Sequence, residues 1–307
     1  MSRQGNGILI TGSSGFIGSN LVSMANSLNL EITTLDYVGK PDIKCDITDA
    51  DWEKIGLSNF KTVIHLAAKT SVSESLEDPN KFLDVNSKAT RKLFSACVEQ
   101  DVERVIFASS AAVYGSSDKE TKKIGEEGTP TSPYAETKLY GEEVARHLSS
   151  ENTTFLCLRF FNVYGPSQKI DGEYSAVIPS FIQSAISGNP IIIHGDGGQT
   201  RDFIHVSDVC SAIISSLSTP LPNFSVTNVG SGRGISILEL AKIVSELVES
   251  VGCHPPKLIP SPQRLGDVRD STADISGLDQ FLDIDALTPL EVGLRDLIER
   301  TLDESNA

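Results

Sequence analysis

Tyr134 and Lys138 stand four residues apart in Tyr134-Ala-Glu-Thr-Lys138, directly after Ser132-Pro133. Ser132 predicts a helix N-cap and Pro133 the first helical position, which puts Tyr134 in the first turn. At i and i+4 the two side chains share one helix face. An ammonium beside a phenol stabilises the phenolate, and the positive end of the helix adds to that. Moving a tyrosine from pKa ~10 to ~7 requires about 4 kcal/mol, a demand that one close cation plus a bound cationic ring can meet. Alone, the spacing is unspecific, because such pairs arise by chance in a chain of this length.

A second motif gives the pair its context. Thr11-Gly-Ser-Ser-Gly-Phe-Ile-Gly18 follows an apolar run and opens a helical pattern, with Gly12, Gly15 and Gly18 spaced G-x-x-G-x-x-G. Glycine lets backbone approach a pyrophosphate, whose charge is met by N–H groups at the helix N-terminus. An ordinary glycine-rich turn has the same look, but the position after the first strand favours a dinucleotide. Asp36, eighteen residues past Gly18, ends the second strand run. A carboxylate there binds ribose hydroxyls and repels a 2′-phosphate, which favours NAD over NADP. A solvated strand-end aspartate is the competing explanation.

These residues need a frame. Apolar β-rich runs (GILITG, EITTLDY, TVIHLAA, RVIFASS, TTFLCLRF) alternate with helix-length patterns from about Phe16, around Phe82–Glu99 and from Tyr134. Strands apolar throughout, each followed by a helix, predict a doubly wound parallel α/β sheet of Rossmann type, with ligands at the strands' carboxyl ends. After Gly165-Pro166 the rhythm loosens. A helix around Ala176–Ser187, a strand PIIIH and helices from Ser207 and Ser236 predict a smaller α/β substrate lobe. The expected division is 1–165 for the dinucleotide-binding domain and 166–307 for the lobe, with some segments crossing back. Residues 116–131 read as an exposed loop or a lid.

Composition narrows the function classes. The 307 residues carry a net charge of −15, and no basic run exceeds two residues, as in Lys122-Lys123. Nucleic acid and anionic membranes need clustered Lys and Arg, so neither is an expected partner. Five widely spaced cysteines without C-x-x-C suit a reducing compartment, and the five histidines show no metal-ligand spacing. With no signal-type segment or span-length apolar run, the expectation is a soluble cytoplasmic protein without a protein-ligated metal.

Taken together, TGSSGFIG, Asp36, HLAA (65–68), SSAAVYG (109–115), YAETK, RFFNVYGP (159–166), GDGGQTRDFIHVSDV (195–209) and RLGDVRDSTAD (264–274) resemble the extended short-chain dehydrogenase/reductases, in the branch that modifies nucleotide sugars. The resemblance spans nearly the whole chain. It implies a catalytic trio of Ser110, Tyr134 and Lys138. It places Gly12, Gly15, Phe16, Ile17 and Gly18 on the cofactor, with Asp36 on its ribose, Asp46 and Ile47 beside the adenine, and Leu66, Ala67, Ala68 and Asn86 nearby. For the substrate it implies Asn162, Arg201 and Arg264 on a nucleotide-sugar diphosphate and Asp267 on a ribose. Two arginines and an amide suit a dianion, although surface ion pairs would also account for the arginines. Similar proteins form homodimers through helices matching Phe82–Glu99 and Tyr134–Leu148. Leu93, Phe94 and Val98 are compatible with that interface and equally with burial on the sheet.

Within this branch, the positions after the serine separate the chemistries. The 4,6-dehydratases carry an Asp-Glu pair there, since eliminating water needs an acid and a base, and UDP-glucuronate decarboxylases carry a Glu nearby. Here stand Ala111 and Ala112, which can do neither. The resemblance therefore implies a UDP-hexose 4-epimerase: Tyr134 exchanges the 4-hydroxyl proton, Ser110 hydrogen-bonds that oxygen, and hydride leaves to NAD and returns to the opposite face. Lys138 keeps the tyrosine acidic and binds the nicotinamide ribose. Ser271, small where similar epimerases narrow the pocket with bulk, leaves room for N-acetylhexosamines, unless it only solvates a loop. A uronate epimerase, a one-way oxidoreductase and a non-catalytic NAD sensor are the competing readings.

Overall fold

A computed structural model describes residues 6–168, 176–263 and 268–306. Its main sheet is parallel throughout and has seven strands. They are β1 (Gly7–Thr11), β2 (Ile32–Asp36), β3 (Ile43–Lys44), β4 (Phe60–His65), β5 (Arg104–Ser110), β7 (Thr154–Phe160) and β11 (Phe224–Val229). In space they run β11-β7-β5-β4-β1-β2-β3. The chain builds outward from β1 through β2 to β3, then returns to β1's other side with β4. That reversal opens a crevice at the carboxyl ends of β1 and β4, where doubly wound sheets bind ligands.

Alternation along the strands divides the core in two. Ile8, Ile10, Ile64, Ile106 and Leu156 face one side, with α1 (Phe16–Ser27) and α8 (Val206–Ser216). Leu9, Val63, Val105, Phe107 and Phe155 face the other, with α5 (Thr90–Glu99) and Ala145 of α6 (Pro133–Leu148). Period-two strands that are apolar on both faces must be covered on both, which explains the near-continuous hydrophobic runs. Leu93 and Phe94 of α5 are fully buried in this second layer, so the sheet already accounts for their apolarity. Residues 83–89, leading into α5, wind as a π-helix and bury Asn86.

The second lobe has its own core, formed by Phe181, Ile182, Leu240, Val244, Leu294 and Ile298 from α7 (Val177–Ile186), α9 (Ile237–Ser250) and α10 (Leu290–Asn306). A three-stranded sheet of β8 (Asn162–Tyr164), β10 (Thr200–His205) and β12 (Gly234–Ser236) belongs to this lobe. Two further pairs, β9 (Ile191–His194) with β13 (Leu258–Ser261) and β6 (Thr121–Lys122) with β14 (Thr272–Ala273), complete it. The chain crosses between lobes more than once: α8 packs on α1, and β11 pairs with β7 at the edge of the main sheet.

Asp202 of β10 ties this lobe together. Its buried carboxylate accepts from Ser231 N (2.6 Å), Ser231 Oγ (2.8 Å), Gly232 N (2.9 Å) and Ala273 N (3.0 Å). The segment 116–131 is stitched down as well. Beyond the β6–β14 pairing, Ser116 N donates to Thr129 O, Gly128 N donates to Tyr114 O, and Asn228 Nδ2 donates to Lys122 O. This stretch is a strap joining the end of β5 to the second lobe.

His65, at the end of β4, sits between the Thr11 hydroxyl of β1 (2.8 Å) and the Thr90 hydroxyl of α5 (2.9 Å), against Phe94 and Phe107. Burial, with a smaller push from the Lys138 ammonium, lowers its pKa to about 3. In the unfolded chain it titrates near 6.5. Its neutral form thus contributes stability that is complete above about pH 6.5 and is lost as pH falls toward about 3, by up to about 1.4 kcal/mol per pH unit. Urea titrations across that range are expected to show a shallower acid slope, by about one proton, for His65→Asn than for the parent; parallel slopes would contradict this account.

Candidate active site

Helix α1 starts on Gly15 with no side-chain cap, which leaves its first N–H groups for a ligand. The turn before it is close-packed. Gly12 has φ +73°, and a Cβ there would lie 2.5 Å from Ala67 N; a Cβ on Gly18 would lie 2.1 Å from Gly12 O. Only glycine fits either position, and the result brings backbone to the floor of a cleft of about 1500 Å³. Gly12, Gly15, Phe16, Asp46, Ile47 and the Leu66–Ala68 turn line it. Asp36 lies at its rim, its carboxylate accepting from Ser14 N (2.9 Å) and Val38 N (3.1 Å). Asp46 is fixed by Thr48, whose N–H and hydroxyl both donate to it at 2.9 Å.

The cleft thus has an uncapped helix end for a pyrophosphate, a strand-end carboxylate for a ribose and an aspartate-isoleucine wall for a base. These are what an adenine dinucleotide requires. Three of the sequence-predicted residues stand behind the lining. Ile17 packs into the core beneath α1, and Gly18 acts through its missing side chain. Asn86 is buried, accepting from Lys69 N (2.8 Å) and donating to Lys69 O (2.9 Å) and the Thr137 hydroxyl (3.2 Å). It pins the cleft-lining loop after β4 to α6.

The trio gathers where β5 meets α6, beside that loop. Ser132 caps α6 by accepting from Ala135 N (3.2 Å), with Pro133 in the first turn. Tyr134 and Lys138 follow one turn apart, 8% and 4% exposed. Ser110, the last residue of β5, accepts from Ala112 N (3.1 Å) and hydrogen-bonds the Tyr134 phenol. Lys138 Nζ donates to Ala108 O (2.8 Å) and stands 5.9 Å from the Tyr134 ring centroid.

Burial dominates the electrostatics of both ionisable members of the trio. Burial pushes the Tyr134 phenol up from its ordinary pKa, and the Ser110 hydrogen bond only partly opposes this. Burial also draws Lys138 down to about 8, against the pull of Glu142. Burial thus opposes ionisation of the phenol, in keeping with the expectation that a bound cationic ring acts together with Lys138.

On the substrate side, Asn162 and Arg201 come to neighbouring strands. Asn162 Nδ2 donates to Asp202 O (3.0 Å), and Arg201 Nη1 donates to Thr200 O (2.6 Å). Ser271 stands beside them, its carbonyl accepting from Asp202 N (3.0 Å). Arg264 and Asp267 lie outside the described residues.

Sequence reasoning missed Glu142 and Arg159, which meet just behind the trio. Arg159 Nε and Nη2 donate to the two Glu142 oxygens at 2.9 and 2.7 Å, and Nη1 pairs with Glu127. The available signal was an arginine at the end of an apolar strand and an acid one turn past Lys138.

The family model for the NAD dependent epimerase/dehydratase family matches residues 8–230. The chain belongs to that family. It is 30% identical to the UDP-N-acetyl-alpha-D-glucosaminuronate decarboxylase of Bacillus cytotoxicus, over 95% of this chain and 96% of that protein. Among solved structures it resembles MoeE5 in complex with UDP-glucuronic acid and NAD (35% identity, 97% of this chain and 100% of that one, TM-score 0.88). It also resembles the UDP-N-acetylglucosamine 4-epimerase of Methanobrevibacter ruminantium M1 in complex with UDP-N-acetylmuramic acid (34%, 98% and 99%, TM-score 0.88). The protein is an NAD-dependent enzyme of the nucleotide-sugar epimerase/dehydratase family. Among the described residues, no helix is long and apolar enough to cross a membrane.

Because a Gly18 Cβ would overlap backbone oxygen rather than a flexible side chain, Gly18→Ala is expected to displace α1 and empty the cleft. The purified variant should carry at least tenfold less NAD than the parent, measured after acid release; equal NAD content would refute the close-packing account.

Proposed function

We propose that this enzyme is an NAD-dependent 4-epimerase of UDP-hexoses, interconverting UDP-glucose with UDP-galactose and UDP-N-acetylglucosamine with UDP-N-acetylgalactosamine through a 4-keto sugar. The observation that carries this reading is the pair Ala111-Ala112 after Ser110. Ala111 packs in a small cluster with Val113, Tyr114, Phe161 and Ala273. Elimination needs an acid and a base beside the sugar. The carboxylates behind the trio, Glu142 and Glu127, are both engaged by Arg159, so neither is free for that work.

When bound, NAD accepts the hydride from the sugar's C4 and gives it back. The protein's own groups do the rest. Tyr134 takes the 4-hydroxyl proton and later returns it. Ser110, already hydrogen-bonded to that phenol, holds the same oxygen. Lys138 supplies a positive charge from within the protein and fixes the cofactor's ribose. Burial of the phenol opposes its ionisation, and a bound oxidised ring would add positive charge that favours the phenolate. Asn162, Arg201 and Arg264 hold the diphosphate, and Asp267 the ribose, while the keto sugar turns between hydride transfers. Ser271 leaves room for a 2-acetamido group.

A second reading, a UDP-glucuronate 4-epimerase, is favoured by the likeness to MoeE5, whose solved complex holds UDP-glucuronic acid and NAD. The five cysteines are all free, which supports a cytoplasmic setting. Homodimerisation through α6 and the helix before it rests on the family resemblance.

Purified enzyme, with no cofactor added, is expected to convert UDP-glucose and UDP-N-acetylglucosamine to their 4-epimers, followed by NMR. Conversion of UDP-glucose alone would remove the Ser271 argument and keep the epimerase; conversion of UDP-glucuronate alone would select the second reading. Tyr134→Phe should lower kcat by at least about 100-fold with substrate affinity retained.

A further inference from the structure

Behind the trio runs a row of buried polar side chains with no part in the reaction just described. Ser109, Arg159 and Asn228 are register partners across β5, β7 and β11. Ser109 Oγ donates to Glu142 Oε1 at 2.5 Å, and Arg159 grips both oxygens of the same carboxylate. Arg159 also lies 4.9 Å from the Tyr114 ring centroid, and the Tyr114 hydroxyl donates to Asn228 Oδ1 at 2.7 Å. Glu127, on the 116–131 strap, supplies the remaining partner. Ser109, Glu142, Arg159, Tyr114 and Asn228 are each 4% exposed or less.

Such a cluster is an inefficient way to stabilise a fold, because desolvating an ion pair costs about as much as the pairing returns. Its geometry suggests a different role. Glu142 follows Lys138 by one turn of α6, Ser109 precedes Ser110 on β5, and Lys138 Nζ donates to Ala108 O in the same strand. The hydrogen bond from Ser109 to Glu142 thus joins the neighbour of one member of the trio to the helix carrying the other two.

We propose that Glu142, braced by Arg159 and Ser109, is a positioning residue for the trio: it locks the Lys138 turn of α6 to the end of β5 and sets a fixed negative charge one turn from the ammonium. The inference rests on the reading of Ser110, Tyr134 and Lys138 given above. The groups facing Lys138 agree with it. From its own helix come Tyr134 and Glu142; from β4, His65, kept neutral by burial; from β5, the Ala108 carbonyl and the Phe107 ring, whose centroid lies 5.0 Å from the ammonium. Arg159 on β7 is neutralised by its two carboxylates, and the flanking π-helix carries the uncharged Asn86 together with Asp84 and Lys88, which are exposed and paired with each other. Glu142 is the anion that opposes burial and keeps Lys138 protonated.

The test compares Glu142→Gln and Glu142→Asp with the parent, all loaded with NAD. For Glu142→Gln, kcat for UDP-glucose epimerisation should fall roughly tenfold with KM within about twofold. The Lys138 titration midpoint, followed by NMR of ¹³C-labelled lysine, should drop by about one pH unit, and the alkaline loss of activity should move down with it. Glu142→Asp keeps the charge and shortens the reach, so its midpoint should stay near the parent's while kcat falls. A lower melting temperature with unchanged midpoint and kcat in both variants would overturn the proposal and leave Glu142 a purely structural residue. If Glu142→Gln does not fold, Glu142→Asp still decides, because parental kcat in that variant overturns the proposal and reduced kcat at parental KM supports it. Should the parent convert no nucleotide sugar, the epimerase reading fails by itself, and the Lys138 midpoint in the variants continues to report on Glu142.

Discussion

Buried charge is the constraint around which this molecule is organised. Lys138, Glu142 and Arg159 are all held out of water in a chain whose net charge is −15. An unpaired charge there would cost several kcal/mol, so each must find partners. The partners come from different elements: Ala108 and Ser109 from β5, Glu142 from α6, Arg159 from β7 and Glu127 from the 116–131 strap. Satisfying them leaves one arrangement of those elements. That arrangement brings Ser110 against Tyr134 and both beside Lys138.

The cofactor side is governed by close backbone approach. Gly12, Gly18 and Ala67 pack so tightly that side chains are excluded, and this contact fixes α1 on β1 and the loop after β4 in one step. Asn86 then carries the placement across to α6 by holding Lys69 on one side and Thr137 on the other. The cleft for the dinucleotide and the trio are thereby linked through a chain of hydrogen bonds. The second lobe is joined to the first by α8, by β11 and by the β6–β14 strap, and Asp202 collects its loops around the strand bearing Arg201.

Chemically, the site combines a buried phenol, a lysine weakened by burial and two alanines after Ser110. Burial raises the pKa of the first and lowers that of the second, so positive charge beside them favours the phenolate. The relatives, which include a decarboxylase by name, show that one scaffold carries several such reactions. The difference therefore lies in a few side chains at the end of β5 and in the substrate lobe.

Much of this was legible in the sequence. The glycine spacing, Asp36, the Tyr-Lys pair with its Ser132-Pro133 cap and the alternating apolar runs are local patterns, and local geometry follows directly from them. They determined the parallel sheet, the glycine-lined cleft and the shared helix face of Tyr134 and Lys138. What the sequence could not supply were contacts between residues distant in the chain. The meeting of Ser109, Glu142, Arg159 and Glu127, the anchoring of 116–131 to residues 272–273 and the burial that raises Tyr134 instead of lowering it all depend on which elements become neighbours. Solvent exclusion is a property of the packed assembly, and no residue's type or spacing encodes it. The sequence determined the local patterns, the glycine turn and the capped Tyr-Lys helix, and only the tertiary structure decided how far from water those groups lie and what holds them there.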